Sequence, residues 1–73
     1  MAHKVSVLVE KDVNGFYVWC PELNGCQSQG DTLEQAIANI KEAIALYLET
    51  VSEGEREALL STEILTTAVE VNA

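Results

Sequence analysis

The stretch Pro21–Val51, PELNGCQSQGDTLEQAIANIKEAIALYLETV, decides the fold. It opens on a proline–glycine turn, passes through a short segment that Gly30 ends, and runs into a long helix. From Leu33, apolar residues recur at Ala36, Ile37, Ile40, Ala43, Ile44, Tyr47, Leu48 and Val51. Steps of three and four put these side chains on one stripe of a helix. Glu34, Gln35, Lys41, Glu42, Glu49 and Thr50 form the opposite side. Asp31 or Thr32 can cap the helix start, with Glu34 or Gln35 reaching back from the first turn. The carboxylates there also suit the positive end of the helix dipole. The spacing predicts a helix from Leu33 to about Thr50.

Outward from this stretch the chain reads as strands. His3–Lys11 alternates Val5, Val7 and Val9 with Ser6, Leu8 and Glu10. Asn14-Gly15 then signals a hairpin, because both residues accept the positive φ of a tight turn. Phe16–Cys20 forms a second strand, apolar or amphipathic on both faces, which fits a central position. Pro21 ends it, since proline donates no ladder hydrogen bond. Cys26–Gln29 returns as a third strand. Beyond the helix, residues 52–57 read as a polar loop with one helical turn through Ala58–Leu60. Glu63–Val71 alternates again and predicts a last strand. The expected fold is α+β, in the order β-β-β-α-β, an antiparallel sheet with one helix packed on one face.

With 73 residues the chain makes a single domain, 1–73. A domain this small buries only about 60 % of its unfolded surface, so its core is thin and self-association as a dimer or tetramer is expected. Four basic residues against twelve acidic ones give a net charge of −8. That balance opposes direct nucleic-acid binding, which needs Lys and Arg to displace counterions, and opposes an anionic membrane surface. It favours a basic protein partner. No apolar run reaches the length of a membrane span, and the N-terminus lacks a signal-peptide pattern. The expected location is cytoplasmic, with Cys20 and Cys26 reduced.

Several words at fixed offsets carry a resemblance. Glu10-Lys11 closes the first strand, and Gly15-Phe16-Tyr17-Val18 opens the second. Pro21, Leu23, Gly25 and Cys26 form a Pro-x-Leu-x-Gly-Cys turn. Gly30, Asp31, Thr32, Leu33, Glu34 and Ala36 open the helix, which contains Asn39-Ile40-Lys41-Glu42-Ala43-Ile44. This combination resembles the HicB-like antitoxin family, closely over residues 5–49. The resemblance implies a partial ribonuclease H-like fold. It also implies a function: neutralising HicA, a small basic mRNA-cleaving toxin, by binding it. Many family members carry a C-terminal DNA-binding domain; the present sequence ends at Ala73 without one, so none is expected.

A ribonuclease H-like fold raises the question of metal-dependent cleavage, which needs clustered carboxylates. Here the middle of the first strand is Val5-Ser6-Val7, and most acids fall on the polar side of the helix or in the loop after it. A solvated acidic face is the preferred reading, and no catalytic residue, metal or cofactor is expected. Cys20 and Cys26 flank a five-residue turn, so a disulfide is geometrically possible, but a reducing compartment opposes it. Only His3 offers itself as a further zinc ligand or as a base for a catalytic thiol, and it reads more simply as a solvated terminal residue. One helix covers one face of a sheet. If Phe16, Val18 and Cys20 face the helix, then Leu8, Tyr17 and Trp19 lie on the open face and form a candidate protein interface. The reverse assignment of faces is the alternative. The leading functional expectation is thus a non-enzymatic antitoxin module. The rivals are a stand-alone homo-oligomeric binding protein with no toxin and, third, a degenerate nuclease.

Overall fold

The computed structural model describes residues 4–73. Strands β1 (Leu8–Asp12), β2 (Gly15–Trp19) and β3 (Gln27–Gly30) form an antiparallel sheet in that spatial order. Helices α1 (Leu33–Glu49) and α2 (Glu53–Leu60) follow. The class is the α+β class expected, in the order β-β-β-α, with α1 packed on β2 and β3.

The β1–β2 hairpin sits where the Asn-Gly pair predicts, but its turn is shifted. Asp12 pairs with Gly15, so Val13 and Asn14 are the two turn residues. Gly15 carries the positive φ, 126°, and Asn14 does not. The Asp12 carboxylate takes over the local bonding: the Asn14 N–H donates to Asp12 Oδ1 at 2.8 Å. Asp and Asn side chains stabilise turns in this way without positive φ.

The Pro21–Gly25 turn is internally bonded. Cys20 N–H donates to Cys26 O, Leu23 N–H to Cys20 O, and Cys26 N–H to Leu23 O, at 2.9–3.1 Å. Gly25 turns the chain with φ 80°. The turn drives Leu23 fully into the core, beside Val18, Cys20, Cys26, Ala36 and Ile40. Glu22 is buried alongside them, and its Oε1 accepts the Ser6 N–H at 2.8 Å. A buried carboxylate needs such a partner, and this one ties the chain ahead of β1 to the turn.

At the helix start the sequence leaves two caps open, and the fold selects Thr32. Its Oγ1 accepts the Gln35 N–H at 3.1 Å, while Gln35 Oε1 accepts the Asp31 N–H. A cap of this kind contributes about 1 kcal/mol. Ala36 and Ile40 lie at the centre of the stripe and are fully buried. Thr50 closes the helix on Tyr47 O.

Several boundaries differ from the sequence reading; the second strand runs Gly15–Trp19 instead of Phe16–Cys20. The first strand begins at Leu8 rather than His3; Val5 and Val7 still pack against the core, and His3 lies outside the described residues. The third strand is Gln27–Gly30, one residue later than expected. Residues 53–60 form a full helix instead of a loop with one turn. The signal was present: Ser52-x-x-Glu55 is a capping box, and Ser52 Oγ accepts the Glu55 N–H at 3.1 Å. Arg56 Nη2 then donates to Leu48 O at 3.0 Å, and Leu59 packs on the core. Finally, the expected strand over Glu63–Val71 pairs with nothing among the described residues. Its alternation is real, but a strand exists only where a neighbour completes its ladder.

Candidate functional site: the open sheet face

Strand register decides which side chains share a face, because residues opposite each other in a ladder point the same way. Val9 pairs with Val18 and Val18 with Ser28; Phe16 pairs with Gly30. Val18 is fully buried, so this set faces α1. The other set is Leu8–Trp19–Gln27 and Glu10–Tyr17–Gln29. Among the described residues no helix covers that side: α1 packs on the Val18 side, Tyr17 is exposed, and Leu8 and Trp19 are half-buried.

Leu8, Tyr17 and Trp19, read from the sequence as one group, therefore lie together. Leu8 and Trp19 are direct partners across β1 and β2. The Tyr17 and Trp19 rings stand 5.4 Å apart, tilted by 30°. The Tyr17 hydroxyl donates to Gln27 Oε1 on the neighbouring strand, which holds the ring in place. The reverse assignment of faces fails, since Val18 would then be solvent-exposed.

The register adds residues that the sequence reading passed over. Glu10, Gln27 and Gln29 border the aromatic pair on the same face. The signal for them was the parity of each strand, which is unusable until the register is known. A groove of about 610 Å³ begins at Glu10, Tyr17 and Gln29 and continues past Asp12 and Asp31 to Gln35. Three carboxylates line it, so it suits a cationic side chain. A second depression, about 290 Å³, lies between Tyr17, Trp19 and the Pro21–Gly25 turn.

The motif residues hold these surfaces in place. Gly15 and Gly25 supply positive φ, Leu23, Cys26 and Ala36 are core, and Thr32 is the helix cap. Gly30 lies against the first turn of α1.

Among the described residues, no three His, Cys, Asp or Glu side chains gather closely enough to hold a metal ion. Cys20 and Cys26 are free and buried. Burial pushes both thiols up from the ordinary value of 9.0; at Cys20 the Glu22 carboxylate adds to the rise, and backbone hydrogen bonds at Leu23 and Glu22 oppose it. A reactive thiol needs the opposite shift. The sign gives a prediction. The fold favours the protonated thiols, so their contribution is complete below the unfolded pKa and is lost as pH rises through the folded one. Urea midpoints should drop as pH rises past about 9, and the drop should shrink in Cys26→Ala. An equal drop in that variant would assign the effect to other groups.

These features define an α+β domain with one sheet face packed under a helix and the other carrying the aromatic pair without one. Over residues 5–72 the chain matches the family described as HicB-like antitoxin of bacterial toxin-antitoxin system. The chain belongs to the HicB-like antitoxin family. A UPF0150 protein of Synechocystis sp. is 52% identical over 50 residues, which cover 67% of this chain and 63% of that protein. A UPF0150 protein of Helicobacter pylori is 47% identical over 57 residues, 78% of each chain. One from Thermoplasma acidophilum is 47% identical over 49 residues, 66% of this chain and 71% of its own. The match thus spans less than two thirds of the Synechocystis relative's own length. No solved structure matches the chain significantly. No helix among the described residues is long and apolar enough to cross a membrane.

Proposed function

We propose that the protein is a non-enzymatic antitoxin that binds and neutralises a small basic HicA-type mRNA-cleaving toxin, and that the open sheet face makes the contact. The observation that carries this reading is the family match over residues 5–72. The helix-free Leu8–Tyr17–Trp19 face supports it, since aromatic residues are enriched at interface centres and dominate their energetics. The net charge of −8 supports a cationic partner. Glu10, Asp12 and Asp31 would receive its Lys or Arg side chains in the groove beside Tyr17. Charges at the rim of a contact act mainly on association rate and on salt dependence, while the apolar centre sets how long the complex lasts.

The test is calorimetric titration of the protein against a purified HicA-type toxin from the same genome, at low and at physiological salt, alongside an RNA-cleavage assay of the toxin. Binding that weakens with salt and abolishes cleavage is expected. Absence of binding at low salt would defeat the reading for that partner.

A further inference from the structure

Residues 63–71 form neither helix nor strand and, apart from the half-buried Ile64, are exposed, an arm off the packed body. Leu65, Val69 and Val71 are between 77% and 82% exposed and share one side of the alternation. At the arm's root the Thr62 N–H donates to Leu59 O. The radius of gyration is 14.0 Å, against about 11 Å for a compact chain of this length. Alternating apolar residues in water, with unpaired backbone groups, describe a strand without a sheet.

The same chain presents a sheet edge without a strand. Among the described residues β1 has a neighbour on one side only. Beside it lies an apolar shelf. α1 is displaced toward β3: Asn39 Nδ2 donates to Gln29 O, and Ala43 and Tyr47 border Cys26 and Gln27. At 100° per residue, Ile37 and Leu33 fall on the side of the helical stripe away from Ala43, toward β1. Ile37 and Val9 stay 39% and 44% exposed there. Val9, near the start of β1, thus borders uncovered apolar residues at an open edge, the arrangement that recruits another strand.

We propose that the arm of one copy pairs with the β1 edge of a second copy, reciprocally, so that each sheet gains its fourth strand from its partner. Leu65, Val69 and Val71 then cover Val9 and Ile37, while Ile64 and Ala68 face the other side. The exchange is isologous: each copy offers one arm and one edge, and two copies satisfy both. α2, held by Arg56 and Leu59, sets the point from which the arm departs, and from there it runs into solvent instead of back onto its own sheet. The occupant of the edge is thus a second copy of this chain. The inference does not rest on toxin binding.

The test is sedimentation of the full chain at micromolar concentration, with Val69→Pro as the disrupting variant and Val69→Thr as the conservative one. Proline removes a ladder donor and lies outside the core, so the folded body is retained, as the helical circular dichroism will report. A dimer is expected for the unaltered chain and for Val69→Thr, and a monomer for Val69→Pro. In mixed dimers of isotope-labelled and unlabelled chains, contacts from the Leu65 and Val69 methyls should reach Val9 of the other copy. A monomeric parent chain, a Val69→Pro variant that remains dimeric, or arm contacts found only within one chain would each overturn the proposal.

Discussion

Replacing Gly30 with alanine is expected to destabilise the domain by about 1–3 kcal/mol, the range for overpacking a site that cannot relax. Gly30 sits on the α1-facing side of β3, opposite Phe16. A Cβ there would stand 2.6 Å from the Ala36 N and 2.9 Å from the Gln35 Cβ. The first of these is helix backbone, so relief requires the first turn of α1 to lift from the sheet. That movement also disturbs the Thr32 cap and the burial of Ala36, the position where helix and sheet approach most tightly. A core of this size rarely supplies more than about 3–5 kcal/mol in total, so the change removes much of the stability. Gly54→Ala is the comparison: a Cβ there meets nothing within 4 Å, and in the first turn of α2 alanine should stabilise slightly, by at most about 0.5–1 kcal/mol. Urea unfolding of the two variants should move in opposite directions. An unchanged midpoint for Gly30→Ala would mean that α1 and β3 separate without cost.

Replacing Trp19 with alanine is expected to weaken toxin binding by about 2 kcal/mol or more, roughly thirtyfold, the cost of truncating an interface hot spot. Trp19 lies opposite Leu8 across the ladder and beside Tyr17, on the central strand at one end of the face that α1 leaves uncovered. It is not part of the buried cluster around Val18 and Leu23, so thermal unfolding should change far less than binding. Glu10→Gln, at the margin of the same face, should instead slow association and flatten the salt dependence. If Trp19→Ala bound the toxin as tightly as the parent chain while remaining folded, the contact would lie elsewhere on the molecule. The antitoxin reading could then still stand, because the titration of the unaltered protein tests it separately.

The local elements were legible because their causes are local. The Pro21–Gly25 turn, the Thr32 cap and the stripe through Ile40 each arise from residues within a few positions of one another. The Ser52–Glu55 capping box was equally local, and Gly54 together with the surrounding charge disguised it as a loop. The candidate site was legible in half: Tyr17 and Trp19 stand out as large side chains on one side of an apolar strand. Glu10, Gln27 and Gln29 did not, because only pairing across three strands places them beside those rings.

By itself the sequence determined the order of the first three strands and α1, the turns that join them, and the family that the words within residues 5–49 resemble. The tertiary structure decided which face of the sheet α1 seals, because that depends on register and on the close approach at Gly30, which no single segment encodes. It also decided the state of residues 63–71. Their alternation specifies a strand, but the hydrogen bonds that make one must come from a distant edge, and that edge lies where the chain itself does not bring them.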